Sequence, residues 1–192
     1  EAYRRAADLC SRDYRAWYGL GQAYELMHMH MYALHYYRRA ALLRPYDPRM
    51  WIALGMCFLK LNSSSEAIRA FRRAIAHGDQ EAIAALQLAK LYAQRSDRHR
   101  AARYFARVLQ QHDEAKPAGS PDGPNALRAL NFLVQYALDT AAWEAAEQYA
   151  LRLQQQGGPA GHRASMLLVT IRQQLGSPAD GAGSSPSPGV QR

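Results

Sequence analysis

Apolar residues recur along this chain at helical spacing, and the pattern of one segment returns 34 positions later. Trp17, Leu20, Gly21 and Tyr24 recur as Trp51, Leu54, Gly55 and Phe58, while Ala33, Tyr37 and Ala40 recur as Ala67, Phe71 and Ala74. Seven matches in one register mark an internal repeat. Within each copy the large residues share one face of a first helix, A, and the small residue between them lets a second helix, B, approach closely. Ala33 and Ala40 serve the same approach from helix B. A third copy runs in phase through Leu88, Ala89, Tyr92, Ala101, Phe105 and Val108, with Ala85 where tryptophan stood. Backward, Tyr3 and Ala6 take late helix B positions of a copy whose helix A precedes residue 1, so we expect a fragment of a longer chain.

The period breaks after Glu114 at a Pro/Gly/Ser-rich stretch and resumes with Phe132, Leu133, Tyr136, Ala145 and Tyr149. A last amphipathic helix from His162 to Leu175 carries Met166, Leu167, Val169, Thr170 and Ile171, and an end cap of this kind is what stacked repeats need. The phase therefore assigns a helix B to 1–13, repeats to 14–47, 48–81 and 82–115, an inserted loop to 116–125 and a degenerate repeat to 126–159. A capping helix at 160–175 and a disordered tail at 176–192 complete the order. The spacing W-x2-L-G-x2-Y, then A-x3-F-x2-A, then Pro, resembles the tetratricopeptide motif, with Pro45 closing the first copy. The expected fold is all-α: a right-handed solenoid of tetratricopeptide hairpins with a concave groove lined by the A helices.

Core positions use the fourth, seventh, eighth and eleventh places of each repeat, which leaves the second, fifth, ninth and twelfth facing the groove. These are Arg15, Tyr18, Gln22 and Glu25 in the first copy, Arg49, Ile52, Met56 and Leu59 in the second, and Ile83, Leu86, Lys90 and Ala93 in the third. An aromatic, an amide and a carboxylate beside an apolar strip suit an extended peptide with an arginine and one or two apolar side chains, the carboxylate gripping the guanidinium.

Charge adds a second surface. The 192 residues carry 24 Lys+Arg against 16 Asp+Glu, a net +8, and the pairs Arg4-Arg5, Arg38-Arg39 and Arg72-Arg73 stack 34 apart along the B helices. A solvated face with aliphatic stems covering neighbours is the expectation, with an acidic protein as the next candidate. RNA or DNA ranks below both, because no aromatic single-strand platform accompanies the arginines. Cys10 and Cys57 cannot build a disulfide framework or a four-ligand zinc site, which favours a reducing intracellular compartment. No run of residues reaches the ~18–20 apolar positions of a membrane span. Met27-His28-Met29-His30-Met31 has the ligand types for Cu(I) but falls where helix A turns into helix B, in one copy only and without a nearby cysteine in register. His77, His99, His112 and His162 are scattered, and Cys57 lies beside a core position. No carboxylate pair, phosphate loop or nucleophile elbow points to an enzyme, and neither metal nor cofactor is expected. Ser120-Pro121, Ser177-Pro178, Ser185-Pro186 and Ser187-Pro188 lie in linker-like stretches open to a proline-directed kinase.

The run from Arg12 to Gln22 (RDYRAWYGLGQ), followed by Tyr24-Glu25, Tyr36-Tyr37-Arg38-Arg39-Ala40 and Leu43-Arg44-Pro45, closely resembles the subunit 8 (cell-division-cycle 23 type) family of the anaphase-promoting complex, a cullin-RING ubiquitin ligase. The resemblance extends to about residue 175 and is most specific over 12–45. It implies a non-catalytic scaffold of the nucleus and cytoplasm, acting in mitosis and cell division. Its C-terminal superhelix would dock neighbouring subunits and the N-terminal box of the coactivators, a short motif with an essential arginine. Tyr18, Gln22 and Glu25 match the family pattern, with Glu25 as guanidinium partner; family members homodimerise through N-terminal repeats. Rivals are a paralogous subunit that takes an Ile-Arg tail, a cochaperone clamp and an RNA-binding helical repeat. The clamp needs Lys and Asn where Tyr18 and Gln22 stand.

Overall fold

In the computed structural model, which describes residues 2–115 and 122–176, ten helices follow one another and no strand occurs among the described residues. They are α1 (Ala2–Leu9), α2 (Tyr14–Leu26), α3 (His30–Leu43), α4 (Pro48–Lys60), α5 (Ser64–Ala76), α6 (Ile83–Gln94), α7 (Arg98–Ala115), α8 (Pro124–Asp139), α9 (Trp143–Gln155) and α10 (Gly158–Gly176). The fold is all-α, of the α-solenoid class. The Ser-Pro dipeptides lie outside the described residues, as do 116–121 of the expected loop and 177–192 of the expected tail. No described helix is long and apolar enough to cross a membrane.

The chain divides into two units, 1–133 and 134–192. In the first, α2 packs on α3, α4 on α5 and α6 on α7, each hairpin also touching the next through α3 with α4 and α5 with α6. Alanine sets the spacing: Ala33, Ala67 and Ala101 are fully buried, as are Ala40 and Ala74. Gly21 is required because a Cβ there would stand 2.5 Å from the Tyr37 ring, and Gly55 bears the same relation to Phe71. Asp13 and Asp47 begin α2 and α4 as caps, their carboxylates accepting from the amides of Arg15 and Arg49 at 2.9 and 3.0 Å.

Each helix A ends in one device. His28, Asn62, Ser96 and Ala141 all adopt a left-handed backbone, with φ of 59°, 57°, 60° and 54°. The following amide then reaches back to a carbonyl of the last turn: Met29 to Tyr24, Ser63 to Phe58, Asp97 to Tyr92 and Ala142 to Ala137, at 2.8–2.9 Å. This is the 6→1 bond of a Schellman motif, which satisfies carbonyls that the helix end would otherwise leave open.

Several expectations are corrected. α8 begins at Pro124, inside the stretch expected as loop, because proline suits the first helical position. Cys57, next to the repeat position Phe58, is itself fully buried. In the second unit α10 starts at Gly158, and its packed face is Gly161, Ala164, Leu168 and Ile171 against α9. Met166, Val169 and Thr170 are exposed. Small residues decide that face: a Cβ on Gly161 would lie 3.2 Å from the Gln154 carbonyl. Arg172 donates to Glu147 at 2.8 Å and Gln154 to Ser165 at 3.0 Å across the same pair of helices.

Candidate functional site

A cleft of about 780 Å³ opens in the first unit between the exposed sides of α2 and α4 and the turn that leads into α6. Tyr18, Gln22 and Glu25 enter from α2, while Arg49, Ile52 and Met56 enter from α4. These residues fall three or four apart on their helices, so one face delivers them together. His77 to Glu81 and Ile83 close the far side. Gln22 and Glu25 also line a smaller hollow of about 370 Å³ with Tyr3, Gly19, Ala23 and Leu26.

The structure does not bring every residue of the expected groove to this cleft. Arg15, in the first turn of α2, is exposed, its guanidinium 5.9 Å from the Tyr14 ring centroid. Leu86 is packed in the core, because α6 is buried on more of its circumference than α2 or α4. Leu59, Lys90 and Ala93 do not line the cleft.

Its electrostatics follow from four carboxylates and their partners. Glu25 accepts a hydrogen bond of 2.6 Å from the Tyr37 hydroxyl. Burial, reinforced by the bonded Glu25 carboxylate, raises the Tyr37 pKa strongly, so the hydroxyl remains a donor. Asp47 holds Arg49 through two contacts, Nη2 to Oδ2 at 2.7 Å and Nε to Oδ1 at 3.1 Å. The guanidinium bond, ahead of the backbone amide, keeps the Asp47 carboxyl below its ordinary value. Asp79 is buried and accepts from the Ala84 amide at 2.7 Å, which fixes the entry into α6. Gln111 of α7 braces that turn by donating to the Asp79 carbonyl at 2.6 Å. Glu25 and Glu81 have no cationic partner among the described residues, so the cleft offers uncompensated negative charge beside the apolar Ile52 and Met56. Burial raises the Tyr18 pKa, its largest cause, while Arg49 opposes the shift. The Tyr18 ring lies 5.3 Å from that of Tyr37.

Sequence reasoning missed Tyr37, Asp79 and Glu81. Tyr37 sits where the later repeats carry Phe71 and Phe105, and its hydroxyl was the available signal.

A family model for the tetratricopeptide repeat matches residues 32–83 and 86–180. The chain belongs to the tetratricopeptide-repeat family. Over 102 residues, 53% of its length, it is 43% identical to anaphase-promoting complex subunit 8 of Arabidopsis thaliana, and the match spans 17% of that protein. Among solved structures it is similar to YrrB, described as a TPR protein with an unusual peptide-binding site (TM-score 0.69, 14% identity, 93% of this chain and 86% of that one). It is also similar to PcrH in complex with the chaperone-binding region of PopD (TM-score 0.56, 21% identity, 66% and 92%). At these identities the structural likeness establishes the fold alone.

Outside the cleft, the arginine pairs of the B helices are not simply solvated. Arg39 and Arg73 place their guanidiniums 5.8 and 4.6 Å from the ring centroids of Trp17 and Trp51. Each indole N–H is in turn bonded to a carbonyl six residues earlier, Ser11 at 2.8 Å and Pro45 at 2.7 Å. Arg38 reaches Phe58 in the following hairpin at 5.7 Å. The Met27–Met31 run spans the turn between α2 and α3, with its three methionines exposed. His112 is grouped rather than scattered, since Asp113 and Asp122 stand within 4.8 Å of it.

Proposed function

We propose that this chain is a peptide-binding, non-catalytic scaffold segment of an anaphase-promoting-complex subunit 8, and that its cleft takes the N-terminal box of a coactivator. The observation that carries the reading is Glu25: a half-buried carboxylate with no cationic partner among the described residues, open to a cleft whose other wall is Ile52 and Met56. That arrangement suits one guanidinium followed by an apolar side chain. The 43% identity to the plant subunit 8 supports the assignment to that complex. In this reading the intact protein works in the nucleus and cytoplasm during cell division. There it homodimerises through other repeats and contacts further subunits of the ligase.

The test is a titration of the chain with a coactivator N-terminal box peptide, its Arg→Ala version, and a Glu25→Ala protein. Saturable binding that is lost with either change is expected. Binding that survives both changes, or a folded protein that binds no box peptide, refutes the reading.

A further inference from the structure

We infer that Tyr37 is a positioning residue which makes Glu25 selective for a guanidinium over an ammonium group; this rests on the peptide-binding reading above. Three observations carry the inference. First, the position needs only an aromatic ring for packing: Phe71 and Phe105 fill it in the next two hairpins, with Phe71 against Gly55 as the Tyr37 ring is against Gly21. The hydroxyl is therefore additional to the packing role. Second, Tyr37 is 1% exposed and held by Gly21 on one side and the Tyr18 ring on the other, so its oxygen is a fixed point. Third, that fixed donor lies 2.6 Å from Glu25 Oε2, while Oε1 accepts nothing from the described residues.

A flexible glutamate can neutralise any cation. A glutamate held at one oxygen samples fewer orientations of its carboxylate plane, and a planar, forked donor benefits from that more than a compact one. An ammonium group, compact and with rotatable donors, reads the charge but not the plane. Selectivity thus resides in the first hairpin, where hydroxyl and carboxylate meet; at the corresponding places the second hairpin has Phe71 and Leu59.

The experiment measures affinities for the box peptide and its Arg→Lys version. The proteins are the parent chain, Tyr37→Phe, Glu25→Gln and the double variant, each checked for helicity and melting temperature. In Tyr37→Phe the arginine peptide is expected to bind about tenfold more weakly, about 1.4 kcal/mol, because a long side chain must be ordered on binding. The lysine peptide should change little. In the Glu25→Gln background, Tyr37→Phe should have no further effect. Glu25→Asp, which keeps the charge but draws the carboxylate back from Tyr37 by one methylene, should lose the same arginine preference, and it serves if Tyr37→Phe does not fold. Equal weakening of both peptides, an unchanged arginine preference, or a Tyr37→Phe effect that persists without Glu25 overturns this inference while leaving the peptide-binding reading intact. Failure of the parent chain to bind the arginine peptide overturns both.

Discussion

Replacing Gly55 by alanine tests the logic of the hairpins, because two effects of known sign oppose each other there. Alanine in the middle of α4 would gain about 1 kcal/mol of helix propensity over glycine. The new methyl, however, would stand 2.5, 2.7 and 2.8 Å from three carbons of the Phe71 ring. Ordinary carbon contacts are about 3.5–4.0 Å, so the ring must recede by about 1 Å. Phe71, on α5, is fully buried. Overpacking of this kind costs about 1–3 kcal/mol beyond what the methyl contributes. Set against the propensity gain, the expected net loss lies between about 0 and 2 kcal/mol, a fall of up to roughly 4–8 °C in melting temperature for a chain of this size. Thermal unfolding followed by circular dichroism reads it directly. Phe71→Leu should relieve the crowding, so the double variant should lose less than the two single changes combined. If Gly55→Ala melts above the parent temperature, or if its cost adds simply to that of Phe71→Leu, close approach at Gly55 is not what holds this hairpin together.

Other outcomes follow from the turns and ionisable groups. Ala141→Gly should stabilise the protein by about 0.5–1 kcal/mol, since the left-handed backbone penalises alanine but not glycine. Asn62→Gly should change little, because asparagine tolerates that region. Cys57, its thiol pushed up to about 12 chiefly by burial, should resist iodoacetamide at neutral pH while exposed Cys10 is alkylated; two modified thiols in the native protein would contradict the packing. Asp47 has a lowered pKa when folded, so its stabilising contribution is present above the unfolded carboxylate value of about 3.9 and disappears as pH falls through the folded value. The melting difference between the parent and Asp47→Asn should therefore be full at about pH 6 and close in acid; a gap that widens on acidification would reverse the sign argued here.

The repeat architecture was legible because its determinants are periodic. Large residues and alanines that recur every 34 places announce both helices of each hairpin and the small contacts between them. The same register put Tyr18, Gln22, Glu25, Arg49, Ile52 and Met56 on one side of their helices, and they do line one cleft. What escaped was whatever periodicity does not encode. Asp79 and Glu81 come from a turn, where side-chain direction depends on dihedral angles rather than helical phase. The Tyr37 hydroxyl was hidden by a position that otherwise reads as core. In α10 the sequence pattern named the apolar residues without choosing a packed face; Gly161 and Ala164 allow the close approach, with Leu168 and Ile171 beside them, and Met166 and Val169 stay outside. Arg39 and Arg73 share a repeat register with Trp17 and Trp51, but their seats over the two indoles depend on how the helices pack.

Trp17 and Trp51 have a spectroscopic consequence. Each indole is tied to a turn carbonyl and lies beneath an arginine, so its emission reports whether its own hairpin is intact. The remaining tryptophan, Trp143, begins α9 in the second unit. Between them the hairpin of α6 and α7 carries Ala85 in the tryptophan position and is dark to indole fluorescence. Repeat arrays melt in nearest-neighbour fashion rather than all at once. Fluorescence and circular dichroism should consequently trace different curves whenever the middle hairpin opens first, and the gap between the two curves would report the fraying of a segment that carries no fluorophore of its own.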